Sequence, residues 1–122
     1  MTTISRVLVV EDEPLIAMML EDFLDALGRE VVGVADTVAS GLALIRTGGF
    51  DAAILDLNLV DGESSDPIAT RLRELGIPFA VSSGDAGATV RFGDRPRLVK
   101  PYTISDLERI MGEMERVEVA TG

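Results

Sequence analysis

Most of the chemistry open to this chain rests on a few polar residues that end apolar runs. Glu11, Asp12 and Glu13 follow Val7–Val10, Asp56 follows Ala52–Leu55, Ser82 and Ser83 follow Phe79–Val81, and Lys100 follows Arg97–Val99. Carboxylates brought close together repel one another, and their pKa values climb unless a cation lies between them. Hard oxygen ligands with room for water suit Mg²⁺, so Asp12 and Asp56 on neighbouring strands make a candidate magnesium site. A buried strand that ends on Asp56 carries a charge where charge is costly, and a metal together with the Lys100 ammonium offsets that cost. Taken singly, each feature is ordinary. An acidic run after a strand is usually a solvated loop, and a strand-terminal aspartate is usually a turn former or a cap. Lys100 would by default be a surface lysine and Ser83 the polar start of a loop. What sets them apart is their joint occurrence: acid, acid, hydroxyl and lysine end strands 1, 3, 4 and 5 in turn, with nothing comparable at the opposite ends.

The elements that position these residues alternate between two hydrophobic periods. The run "RVLVVE" (6–11) is too short for a helix and rich in valine, which predicts a buried strand. A helix opens at Pro14 and carries Leu15, Met19, Phe23 and Leu27 on one stripe, closing at Gly28. Strand 2 is 30–35, weakened by Gly33, and a helix over 37–47 turns Val38, Leu42 and Ile45 inward before Gly48-Gly49. "AAIL" forms strand 3, 66–76 a helix with Ile68, Leu72 and Leu75 inward, and "FAVSS" (79–83) strand 4. "RLV" (97–99) is a short strand 5, and a last helix, 103–116, starts at a Thr or Ser cap with Ile104, Leu107, Met111 and Met114 inward. Residues 117–122 are expected to fray.

Repeated strand–helix alternation calls for an α/β fold, a five-stranded parallel sheet with helices on both faces. Glycine in strand 2 and the proline-flanked strand 5 put these at the edges, giving the flavodoxin-like order 2-1-3-4-5. Ligands of such sheets bind beyond the carboxyl ends of the strands, where all the residues named above fall. The expectation is one domain over 1–122 with a core of about 5–116.

Composition narrows the function. The chain has no histidine and no cysteine, which removes Ser-His-Asp triads, thiolate chemistry, disulfides and the usual zinc sites. A net charge of −10 repels nucleic-acid phosphates and anionic membranes, so neither is an expected partner. No apolar run approaches the roughly eighteen residues of a membrane span, and residues 1–6 lack a secretory apolar stretch, so a cytoplasmic protein is expected.

The segments "VLVVEDEP", "ILDLNL", "IPFAVSSG" and "LVKPY" resemble the receiver domain of two-component response regulators, in order and spacing, over residues 5 to 116. The resemblance implies that Asp56 is the phosphoacceptor. It implies that Asp12 binds Mg²⁺ directly, Glu11 assists through water and Asn58 offers its backbone carbonyl. Ser83 takes the place of the hydroxyl that contacts the phosphoryl group, with Ser82 one step early. Lys100 pairs with the phosphoryl oxygens, and the Lys100-Pro101 peptide is expected to be cis. Phosphoryl transfer asks a protein mainly for in-line positioning and charge neutralisation, which these residue types supply. With no histidine in the chain, the phosphoryl group comes from elsewhere, by resemblance from the phosphohistidine of a sensor histidine kinase.

Two departures stand out. Receivers commonly carry an aromatic residue three positions before the strand-5 lysine, where this chain has Arg97, expected to be solvated. The "GDAGATVRFGD" stretch is glycine-rich, so a fourth helix between strands 4 and 5 is expected to be short or disordered. Residues 84–95 are then expected to order when Ser83 is drawn toward phosphorylated Asp56. These features resemble an alphaproteobacterial receiver subgroup that lacks the aromatic switch and is often partnered by HWE-type kinases. The resulting expectation is a stand-alone receiver acting through contact with an unknown downstream protein or as a phosphate sink. By resemblance the contact face is the edge near strands 4 and 5 and the last helix, where Phe79, Phe92, Tyr102 and Ile104 are candidate contributors, although core packing is their default role. Haloacid-dehalogenase-like phosphatases fit less well, since their nucleophile lies on the first strand and the residue two later is an acid, against strand 3 and Asn58 here. A nucleotide or flavin carrier would want a phosphate loop where this chain has three acids. A non-phosphorylated adaptor of the same fold would not need the full acidic set.

Overall fold

The computed structural model describes residues 3–59, 62–84 and 95–121, with side chains as far as residue 115. Strands β1 (Arg6–Val10), β2 (Glu30–Ala35), β3 (Ala52–Asp56) and β4 (Phe79–Ser83) alternate with helices α1 (Pro14–Ala26), α2 (Val38–Thr47) and α3 (Asp66–Leu75). β5 (Arg97–Val99) and α4 (Ile104–Thr121) complete the described chain. All strands run parallel in the order β2-β1-β3-β4-β5, the flavodoxin-like arrangement expected from the pattern.

Burial explains the order. β3 and β4 are buried at every position, as strands covered on both faces must be. β2 is largely half-exposed and β5 has three residues, so both serve as edges. Successive residues of β1 point to opposite faces and feed two separate cores. Val7 and Val9 pack with Leu20, Leu24, Leu107 and Met111 of α1 and α4. Leu8 and Val10 pack with Ile45, Ile68, Leu72 and Phe79 on the α2–α3 side.

Two glycines set local geometry. At Gly33 the β1–β2 register skips one residue, so that Val7 faces Val31 and Leu8 faces Gly33. Gly28, with φ of 77°, lets the chain reverse after α1, and the amide of Arg29 returns to the Leu24 carbonyl at 2.8 Å. Two helix starts, those of α2 and α4, are capped by their own side chains. Thr37 and Ser40 exchange backbone and side-chain hydrogen bonds at α2, and Thr103 and Asp106 do the same at α4.

The helix stripes differ from expectation at Leu15, Leu75, Ile104 and Ile110. Leu15 is 80% exposed, and α1 instead buries Ala17, Leu20 and Leu24, with Ile16, Met19, Phe23 and Leu27 half-buried beside them. The cause is the unbroken apolar run 15–20, which fits more than one helical phase. Leu75 is the last residue of α3 and Ile104 the first of α4, and both are exposed. Ile110 takes an inward position that the pattern did not assign. α4 runs to Thr121, beyond the expected end at 116. The expected weak helix between β4 and β5, the ordering of that segment, Phe92, and Asp61 of the Asp61-Gly62 turn all lie outside the described residues. No helix among the described residues is long and apolar enough to cross a membrane.

Candidate functional site

The carboxyl ends of the strands converge as the fold requires. Glu11 is the first residue past β1, and its amide continues the ladder by donating to the Ala35 carbonyl at 2.9 Å. Asp56 ends β3 on the neighbouring strand, and Ser82 is its register partner on β4. Ser83 ends β4, and its carbonyl accepts the amide of Lys100 at 2.9 Å. This bond extends the β4–β5 ladder by one step and places the lysine beside the acids. The Lys100-Pro101 peptide is cis, as the resemblance implied.

Side chains then meet at short range. Carboxylate oxygens of Glu11, Asp12 and Asp56 all lie within 4.8 Å of one another. The Lys100 ammonium stands 3.1 Å from Asp56 Oδ2 and 3.1 Å from Glu11 Oε1, with Glu13 Oε1 at 3.8 Å. The Asn58 amide donates to Asp56 Oδ1 at 3.2 Å, and the Glu13 amide to Glu11 Oε2 at 3.2 Å. Glu11 and Asp56 are nearly sealed from solvent, at 2% and 5% exposure, whereas Glu13 is open.

The electrostatics are unbalanced toward negative charge. Burial pushes the Glu11 carboxyl up to about 7, and the hydrogen bond and charge of Asp56 add to the rise, with the Glu13 amide and Lys100 opposing it. Burial pulls the Lys100 ammonium down, but its hydrogen bond to Asp56 and the charges of Asp56 and Glu11 more than reverse this, leaving it above its ordinary value. Glu11 Oε1 is within ion-pair distance of Lys100 yet makes no hydrogen bond. A buried carboxylate oxygen without a hydrogen bond, in a set of three acids with one ammonium, fits a small hard divalent cation.

Of the residues singled out in the sequence, Glu11, Asp12, Asp56 and Lys100 form the cluster, with the Asn58 amide on Asp56. Ser83 is buried at the end of the adjoining strand. Arg97, expected to be solvated, is instead partly buried. Phe79 and Tyr102 are core residues, so of the described residues in the expected contact face only Ile104 is exposed. Sequence reasoning did not assign Glu13 a contact with Lys100. It also missed the buried Tyr102 hydroxyl, which has no hydrogen-bond partner and whose ionisation is strongly disfavoured by burial and by the charges of Glu11, Asp56 and Glu13. The position of Tyr102 two residues after Lys100 was the available signal.

Comparison with known proteins agrees with this arrangement. Residues 7–111 match the model of the response regulator receiver domain. The chain is similar to the solution structure of SdrG from Sphingomonas melonis Fr1, with 47% identity and a TM-score of 0.86, over 94% of this chain and 99% of that one. It is 30% identical to the phyllosphere-induced regulator PhyR of Methylorubrum extorquens over 89% of this chain and 43% of PhyR. It is 35% identical to the transcriptional regulatory protein PdtaR of Mycobacterium tuberculosis over 84% of this chain and 52% of PdtaR. The chain thus spans about half the length of PhyR and PdtaR. With a match over most of its length and an acidic cluster at the carboxyl edge of a 2-1-3-4-5 sheet, the chain belongs to the response regulator receiver domain family, the signalling modules of two-component systems.

Proposed function

We propose that Asp56 accepts a phosphoryl group from the phosphohistidine of a sensor histidine kinase. The observation that carries this reading is the Lys100 ammonium 3.1 Å from Asp56 Oδ2, inside a set of three carboxylates clustered within 4.8 Å. An Asp56 oxygen attacks phosphorus; the new P–O bond forms as the donor's P–N bond breaks, and that electron pair stays on the donor nitrogen. Lys100 balances charge on the transferring oxygens, and the Ser83 hydroxyl donates to one of them. Asp12 and Asp56 would hold Mg²⁺ directly, Glu11 through water and Asn58 through its carbonyl. When bound, the ion supplies positive charge that neutralises the transferring group.

Similarity to SdrG along nearly all of that chain supports the reading of residues 7–111 as a signalling receiver. Its output is contact with a downstream protein or removal of phosphate from a kinase. The glycine-rich sequence after Ser83 and the absence of an aromatic residue at Arg97 favour a kinase of the HWE or a related type. The protein is a signalling component that modifies itself and does not turn over a separate substrate. Intact-mass analysis after incubation with Mg²⁺ and a small acyl phosphate tests the assignment. Wild type gains one phosphoryl group and Asp56→Asn gains none; equal modification of both overturns it.

A further inference from the structure

The loop after β3 carries a hydrogen bond that the phosphoacceptor chemistry does not use. Past Asp56 the chain turns back on itself. Gly62, with φ of 74°, donates its amide to the Leu59 carbonyl at 3.1 Å, and the Leu59 amide donates to the Glu63 carbonyl at 2.7 Å. Asn58 and Ser64 face each other across this turn in an antiparallel bridge. Leu57 and Leu59 are buried in the core on the α2–α3 side and fix the outgoing arm. The returning arm, 62–64, has no buried residue. Beyond its bonds to the outgoing arm, it is held by the Glu63 carboxylate, whose Oε1 accepts the Val38 amide at 2.9 Å. Val38 opens α2, a helix with no acid of its own in the first turn. Thr37 caps the Ser40 amide there, and Glu63 supplies, from 25 residues away, the negative charge that a helix start favours.

We propose that Glu63 is a positioning residue for the metal site: by fastening the returning arm to α2 it sets the Asn58 backbone, and through it the affinity of the acid cluster for Mg²⁺. The inference rests on the reading in which the Asn58 carbonyl is a ligand of that ion. Asn58 is the pivot, because its amide donates to Asp56 Oδ1 at 3.2 Å while its bridge partner Ser64 adjoins Glu63. A backbone carbonyl has no rotamer with which to seek a cation, so its aim is that of its planar peptide unit. The bridge to the returning arm fixes that plane. Glu63 lies outside the set of three clustered carboxylates, so its effect passes through the backbone. The coupling is reciprocal: a bond that favours Mg²⁺ is itself favoured by Mg²⁺, by the same factor.

The test is a Mg²⁺ titration of the unphosphorylated protein, followed by amide resonances, in wild type, Glu63→Ala, Glu63→Gln and Thr37→Ala. Glu63→Ala is expected to weaken Mg²⁺ binding about threefold, the scale of one exposed carboxylate contact at a helix start. Glu63→Gln keeps an oxygen for the Val38 amide and is expected to bind Mg²⁺ more tightly than Glu63→Ala. Thr37→Ala removes a cap from the same helix end but leaves Glu63 in place. It is expected to lower the unfolding midpoint and to leave Mg²⁺ affinity unchanged. Wild-type affinity in Glu63→Ala overturns the positioning role. Equal weakening in Glu63→Gln and Glu63→Ala overturns it in favour of bare charge, and equal weakening in Thr37→Ala and Glu63→Ala in favour of helix stability. A second measurement needs no variant: exchange of the Val38 amide with solvent is expected to slow by a similar factor when Mg²⁺ saturates the site, and an unchanged rate overturns the coupling. Wild type whose Asp12, Asp56 and Asn58 resonances ignore Mg²⁺ overturns the metal reading itself, a different failure.

Discussion

The two ends of the sheet carry charged networks built on opposite principles. At the carboxyl end, Glu11, Asp12 and Asp56 crowd around Lys100, and burial and like charge drive Glu11 up to about 7. At the amino end, Arg29 pairs with Glu115 at 2.9 Å, while Glu115 Oε2 also accepts the Ile4 amide at 2.7 Å and Arg29 donates to the Ile4 carbonyl. Burial opposes ionisation of Glu115, but the Ile4 amide and Arg29 outweigh it and leave its carboxyl below the ordinary range. One network holds more acids than cations; the other is closed on itself. The first is suited to binding and chemistry, the second to holding the last helix against the first strand.

Removing Lys100 should have the largest effect. Lys100→Met deprives the transferring oxygens of their nearest fixed cation and should slow Asp56 phosphorylation by roughly 10²–10³, measured by intact mass over time at one donor concentration. Glu115→Gln, by contrast, should leave that rate untouched, and a matching loss there would erase the division of labour between the two ends.

The pH response should separate them next. Because the folded state raises the Glu11 carboxyl from 4.5 to about 7, folded protein binds that proton more tightly than unfolded chain does. Its contribution therefore favours the fold below about 4.5 and is lost as pH climbs from there to about 7, by an amount on the order of 2–3 kcal/mol. In chelator, denaturant titrations across this window should show a fall in wild type relative to Glu11→Gln, and Mg²⁺ should restore more stability at pH 7 than at pH 5. The Glu115 contribution runs the other way, since its folded value is depressed. It is present above the unfolded value and lost as pH falls through the folded one, so Glu115→Gln should cost about 1 kcal/mol at neutral pH and less in acid. Smallest of all, Tyr102→Phe removes a buried hydroxyl that has no partner and should leave stability unchanged or raised by about 0.5–1 kcal/mol. A clear loss would mean that the hydroxyl is bonded in solution.

Much of the carboxyl end was legible because it is written in short segments. Each strand end combines a run of period-two or continuous apolar residues with an abrupt polar stop, and strand order follows from which runs are too weak to be central. The amino end was illegible for the opposite reason. Arg29 and Glu115 are 86 residues apart, and neither has a local pattern that announces the other. Helix phase failed at Leu15 because six apolar residues in succession satisfy several stripes, and only the position of the sheet decides among them. Tyr102 escaped notice as a site neighbour because its burial beside the acids depends on packing, which no spacing rule describes.

The bond between the Ile4 amide and Glu115 brings the start of β1 and the last helix to one pole. β1 has five residues, so about 16 Å of strand separates that pole from the acids at a rise of about 3.3 Å per residue. A reporter or a neighbouring module attached there would not obstruct a visiting donor. It would also have no direct sight of the modified aspartate, so anything it learned of that event would have to reach it through the packed strands or along the final helix.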